Sequence, residues 1–120
     1  KAKDVRLVIV DYLQLMQGMP DGMTIDTDGN LWVAMWGGWS ILCCNPYTGE
    51  IIDRINIPVS NVTSCTFGGR DMNTLYITTA RAELSEKEKK EQPLAGGIFA
   101  VDTKVRGTES FLFGKIKEEN

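Results

Sequence analysis

Apolar and polar positions alternate over short runs through most of the chain, and most runs end at a glycine or an Asx residue. A period of two marks strands with one buried face, and the glycine and Asx residues mark the turns between them. The pattern predicts strands at residues 6–11, 22–26, 31–35, 40–45, 51–56, 63–68, 74–79, 97–102 and 109–113. Asp28-Gly29 and Thr48-Gly49 read as hairpin turns, because glycine reaches the positive φ that such turns demand. Pro46 sits where its fixed φ presets the first turn position before Tyr47-Thr48-Gly49. The fold class is all-β.

The strands also repeat. Leu31-Trp32-Val33-Ala34 answers to Leu75-Tyr76-Ile77-Thr78, and Met23-Thr24-Ile25 to Cys65-Thr66-Phe67. Ser40-Ile41-Leu42 answers to Gly97-Ile98-Phe99, and Asn45-Pro46 to Asp102-Thr103. Four short strands in a repeat of roughly 40–50 residues are the unit of a β-propeller blade. The chain divides into an outer strand and lead-in at 1–17, two propeller blades at 18–114 and a frayed tail at 115–120. An insertion at 81–95 interrupts the second blade. There Glu83, Glu86, Glu88 and Glu91 interleave with Lys87, Lys89 and Lys90. That composition fits a solvated, partly helical loop, with a partner-binding arm as the sharper reading. Closed propellers use roughly four to eight blades. Two blades leave strand edges and an apolar face uncovered. The expectation is a piece of a larger propeller, a protomer of an assembled ring, or a truncated or engineered product, so other blades or further copies are its expected partners.

Composition excludes several classes. Of 120 residues, 42% are hydrophobic and 24% charged, which is globular rather than disordered. A net charge of −3 argues against a nucleic-acid surface, which wants a basic patch. No apolar run approaches the roughly 18 residues of a membrane span, and Lys1-Ala2-Lys3-Asp4 does not open a signal peptide. The chain has no histidine, so neither a Cys–His nucleophile nor a Ser-His-Asp triad can form within it. A metal here would take oxygen ligands, which favours hard ions. Cys43, Cys44 and Cys65 are odd in number and include an adjacent pair, so they read as buried, reduced thiols in a cytoplasmic protein. In that compartment the Asn61-Val62-Thr63 sequon is silent.

Asp21 stands out chemically. It follows Pro20 and precedes Gly22, so a turned backbone presents its carboxylate at the start of a strand, where it can point into a shared central cavity. There it would bind a hard cation, polarise a carbonyl and position or deprotonate a water. An Asx turn or local cap is the plain alternative. Asp26 and Asp28 read as turn formers; an EF-hand reading fails because the distal glutamate and flanking helices are missing. Trp32 alternates into the blade core. Trp36 and Trp39 flank Gly37-Gly38 and reach toward the channel mouth, with Trp36 a candidate substrate contact and packing the plain alternative. Arg81, past the strand at 74–79, faces either the cavity or the surface.

Several motifs taken in order carry a family resemblance. They are Gly18-Met19-Pro20-Asp21-Gly22-Met23, Asp28-Gly29-Asn30-Leu31-Trp32-Val33-Ala34, Asn45-Pro46-Tyr47-Thr48-Gly49-Glu50, Thr63-Ser64-Cys65-Thr66-Phe67-Gly68-Gly69, Leu75-Tyr76-Ile77-Thr78-Thr79-Ala80-Arg81 and Gln92-Pro93-Leu94-Ala95-Gly96-Gly97-Ile98-Phe99. From Gly18 to Gly114 the chain resembles the C-terminal part of the senescence-marker-protein-30, regucalcin, gluconolactonase and luciferin-regenerating enzyme family, with wording nearest to insect members. The resemblance implies a six-bladed propeller, one divalent cation (calcium or zinc) in the central channel, and hydrolysis of small-molecule lactones. It places one metal ligand, with a catalytic role, on Asp21. The family's glutamate and two asparagine ligands come from earlier blades, so catalysis by this chain alone is not expected. The rival readings are a non-catalytic calcium-binding or interaction module, and an inert fragment. Separately, Leu7-Val8-Ile9-Val10-Asp11 resembles the Walker-B strand of DnaB-type helicases. An ATPase also needs a phosphate cradle of the P-loop type, and the chain has none.

Overall fold

The computed structural model describes residues 18–109. Seven strands form two antiparallel sheets. The first is β1 (Met19–Ile25), β2 (Leu31–Trp36), β3 (Ser40–Cys44) and β4 (Ile51–Asn56), in that order. The second is β5 (Val62–Gly68), β6 (Thr74–Thr79) and β7 (Ile98–Asp102), with the helix α1 (Glu86–Glu91) between β6 and β7. Within each sheet every strand pairs with the next in sequence, as in a blade built from hairpins. The first strand of the second sheet packs against β1 and β2, so the two sheets stack with their first strands adjacent.

The predicted strands at 51–56 and 74–79 coincide with β4 and β6. The strand expected at 22–26 starts three residues earlier, because Met19 and Pro20 already pair with Trp36 and Met35. The one expected at 40–45 stops at Cys44, because the Asn45 carboxamide accepts from the amides of Tyr47 (2.8 Å) and Thr48 (3.2 Å) and turns the chain. The strand at 6–11, the Walker-B resemblance and residues 110–113 of the last predicted strand lie outside the described residues.

One expectation needs correction. Alternation implied one buried face per strand, yet β2 and β3 are buried on both. Trp32, Ala34, Ile41 and Cys43 join Cys65, Phe67, Leu75 and Ile77 in the core between the sheets. Val33, Met35, Leu42 and Cys44 form a second apolar cluster on the opposite side. Central strands covered on both faces read as continuous apolar runs, and Leu31–Trp36 is such a run. Trp32 meets Phe67 edge to face at 5.9 Å, an aromatic tie across the inter-sheet core.

The second sheet is different. Its far side carries Thr66, Tyr76, Thr78, Ile98 and Ala100, all exposed. By the internal repeat, Tyr76, Thr78, Ile98 and Ala100 are the counterparts of Trp32, Ala34, Ile41 and Cys43, which the first sheet uses to pack on the second.

The three cysteines are buried, as expected. Burial pushes the Cys43 thiol up to about 12, helped by Asp26, Cys44 and Asp53. Burial also pushes Cys65 up to about 12 against a backbone hydrogen bond from Thr24, and it raises Cys44. Unfolded thiols ionise near pH 8.5, about where free cysteine does. Native Cys43 and Cys65 hold their protons until about pH 12. Their contribution to stability is therefore fully present below pH 8.5, falls as the pH rises above it, and is gone by about pH 12. The folded chain is expected to leave a disulfide-exchange thiol reagent unreacted at pH 8 and to titrate all 3 thiols once unfolded in urea. Rapid labelling of the native chain would contradict this burial.

Candidate functional site

Strand pairing gathers the singled-out residues at one end of the sheets. Met19 pairs with Trp36, Trp36 bridges to Asn61, and the next residue, Val62, pairs with Thr79. These residues form a row across both sheets. Asp21 lies two positions in from Met19, and Arg81 two positions beyond Thr79.

Asp21 owes its presentation to a bulge. Pro20 pairs with Met35 and pairing resumes at Met23 with Val33, so Asp21 and Gly22 together oppose Ala34. A bulge bends its strand and re-aims the side chains on it. Pro20 is tolerated because β1 is an edge strand within its sheet. The Asp21 side chain is exposed. Beside it, a Cβ on Gly22 would lie 2.3 Å from Ser64 Oγ and 2.9 Å from the Thr63 carbonyl oxygen. The first strands of the two blades thus touch next to the carboxylate.

Among the described residues, no group of three or more His, Cys, Asp or Glu side chains is placed to hold a metal ion. Calcium takes six to eight oxygens.

Next along the row comes the Trp36–Trp39 turn. Trp36 is half-buried, and Trp39 is exposed with a positive φ of 57°. The Trp39 amide donates to the Ser60 carbonyl (3.3 Å), and the Ile57 amide donates to the Trp39 carbonyl (2.8 Å). Arg81 is exposed, its stem lying over Gly96. Its neighbours are held on both sides. The Ala80 amide donates to the Asn61 carbonyl (3.0 Å), and Asn61 Nδ2 donates to the Ala82 carbonyl (3.1 Å).

The insertion is partly helical, as its composition predicts. Ser85 caps α1 with a full capping box, and no α1 residue is buried. Gln92 ends the helix and turns its side chain inward, where it is 3% exposed. Its Oε1 accepts from the Ser60 amide (2.9 Å) and the Ser60 hydroxyl (3.1 Å). Sequence reasoning missed Ser60, Asn61 and Gln92 as a group. The available signal was Gln92 before the helix-stopping Pro93, but nothing local points from there to Ser60.

The opposite end holds a cleft of about 530 Å³ lined by Asp26, Trp32, Asp53, Asp102 and Lys104 among others. At about 3.3 Å per residue, Asp26 lies roughly 16 Å along the strand direction from Asp21. Asp26 is a turn former, as expected, and also more. Its Oδ1 accepts from the amides of Asp28 (2.9 Å) and Asn30 (3.0 Å), and its Oδ2 accepts from Trp32 Nε1 (2.8 Å). A carboxylate so engaged has little left for a ligand. The cleft touches none of Asp21, Trp36 or Arg81.

Stacked antiparallel sheets with their first strands adjacent, repeated at blade spacing, define a β-propeller. The chain belongs to the SMP-30/Gluconolactonase/LRE-like family, whose model matches residues 2–81. It is 48% identical over 96 residues to YvrE of Bacillus subtilis (strain 168), whose name proposes a sugar lactone lactonase; the match covers 80% of this chain and 33% of that protein. Regucalcin of Xenopus laevis is 43% identical over 89 residues, covering 74% of this chain and 30% of that protein. Among solved structures, a luciferin-regenerating enzyme superposes with a TM-score of 0.69 at 36% identity, over 78% of this chain and 31% of that one. A structure described as a calcium-binding protein, regucalcin, from Agrobacterium tumefaciens str. C58 gives 0.76 at 29% identity, over 81% and 32%. The chain spans about a third of the length of these relatives.

Proposed function

We propose that this chain is part of a divalent-metal-dependent lactone hydrolase to which it contributes Asp21, and that it is incomplete for catalysis alone. The observation that carries the reading is the Asp21 bulge. It exposes a carboxylate beside a tight contact of the two first strands, at the end where Trp36 and Arg81 also lie. Ester hydrolysis needs a group that orients water and takes its proton, and an exposed carboxylate at this end can serve as one. Trp36 and Arg81 would then contact the substrate, the arginine through its fixed positive charge. The cation, calcium or zinc, is the family's share of the reading; the described residues add one carboxylate toward it. A calcium-binding module without catalysis is the second reading, favoured by the description of the Agrobacterium relative.

A chimera in which this chain replaces the matching third of the Bacillus relative tests the proposal. It is expected to hydrolyse an aldonolactone only with a divalent cation present. Asp21→Ala should lower kcat/KM by about a thousandfold, within the range of a lost general base. The 120-residue chain alone should show no turnover. Full activity in the Asp21→Ala chimera would overturn the assignment. Calcium binding that depends on Asp21, with no hydrolysis, would favour the module.

A further inference from the structure

Gln92 is the only polar residue of the 81–95 insertion that is buried, and it touches nothing else in that insertion through its Oε1. Both donors to it come from Ser60, 32 positions earlier. Ser60 faces the other way as well, since its carbonyl receives the Trp39 amide from the first sheet. Asn61, the next residue, brackets Arg81 through Ala80 and Ala82 and bridges to Trp36. The Ser60-Asn61 dipeptide is therefore a hub with the Trp36–Trp39 turn on one side and Arg81 on the other.

We propose that Gln92 is a positioning residue that locks this hub, so that the Trp36–Trp39 turn of one blade and Arg81 of the next keep a fixed relation at the Asp21 end. The inference deepens the proposed function and rests on it for the ligand it would serve. Without the Gln92 oxygen, the buried Ser60 amide loses its partner and the Ser60 hydroxyl keeps only the longer bond to Asn61 Oδ1 (3.3 Å), so the strain falls on the dipeptide that holds both elements. α1 delivers this oxygen. Gln92 donates its own amide to the Glu88 carbonyl (2.8 Å), so the helix end fixes where the side chain starts.

Amide hydrogen exchange of the 120-residue chain reads the proposal directly. Gln92→Met keeps the volume and removes the acceptor. It should speed exchange at Ser60 and at Trp39 by about tenfold, the equivalent of roughly one lost hydrogen bond, while the Val33 and Ile77 amides stay protected. Gln92→Glu retains an acceptor oxygen but buries a carboxyl in place of a neutral amide, so it should fall between wild type and Gln92→Met. Unchanged protection at Trp39 in Gln92→Met would overturn the coupling. If Gln92→Met unfolds the chain, Val33 and Ile77 lose protection too. Ser60→Ala, which removes only the hydroxyl donor, then reads the same amides and should show the same pattern at smaller size. In the active chimera, Gln92→Met should raise KM with kcat held, whereas Asp21→Ala loses kcat and leaves exchange at Trp39 unaltered. Failure of the hub and failure of the lactonase reading are thereby told apart.

Discussion

Gly22→Ala is expected to destabilise the chain by about 2–3 kcal/mol, the usual cost of overpacking a closely fitted site. The added methyl would meet Ser64 Oγ at 2.3 Å, Ser64 Cβ at 2.7 Å and the Thr63 carbonyl oxygen at 2.9 Å. A hydroxyl can rotate away, but Cβ and the carbonyl belong to a paired strand and cannot. No positive φ is involved at Gly22, so the loss comes from space alone. Gly29→Ala is the control. That residue has a φ of +85° and nothing within 4 Å of a new methyl, so its loss is purely conformational, about 1 kcal/mol. The midpoint of urea unfolding, with m unchanged, measures both. A Gly22→Ala shift no larger than that of Gly29→Ala would mean the first strands of the blades separate at little cost. Asp21 sits on the same bulge, so Gly22→Ala should also disturb where the carboxylate lies.

Asp26→Ala should cost about 3–4 kcal/mol, in line with losing a charge-assisted network and stranding a buried donor. The carboxylate is 2% exposed and binds two turn amides and the Trp32 indole nitrogen. Trp32 is itself 4% exposed, so its N–H has little access to water. Asp26→Asn should cost less, about 2 kcal/mol, because one carbonyl oxygen can serve the turn or the indole but not both. Indole fluorescence during urea unfolding follows the stability, and in a Trp36→Phe, Trp39→Phe background it also follows the environment of Trp32. Wild-type stability in Asp26→Ala would show that the β1–β2 turn and Trp32 stand without this link.

Much of the architecture was legible because it rests on local pattern. Leu31-Trp32-Val33 and Leu75-Tyr76-Ile77 carry matching residue types at the same repeat position, so the two blades could be read from one another. Turn chemistry placed the bend at Asp28-Gly29, and charge interleaving placed the partly helical insertion. What escaped depends on register or on distance along the chain. The bulge at Asp21-Gly22 has no signature in a period of two, so the early start of β1 and the re-aimed carboxylate were hidden. The Asp26 link to Trp32 spans a turn, and only folded geometry brings the indole to the second oxygen. Ser60 and Gln92 are 32 residues apart, and neither residue type alone announces a partner. The exposed far side of the second sheet could be expected from a count of two blades, but which residues line it required the pairing of Tyr76 with Ala100 and Thr78 with Ile98.

The helix α1 has a practical use that follows from how it is held. Its six residues bury nothing and lean only on their own capping box and on exposed pairs between Lys89 and Glu86 (3.2 Å) and Lys87 and Glu91 (4.0 Å), which contribute little. The surrounding insertion is pinned instead by Leu84, Gln92 and Ala95. The outward side chains of Lys87 and Lys90 are therefore attachment points. A dye coupled there leaves the capping box and the Glu88 carbonyl that holds Gln92 in place, and puts a label on the insertion without touching the strands that carry Asp21.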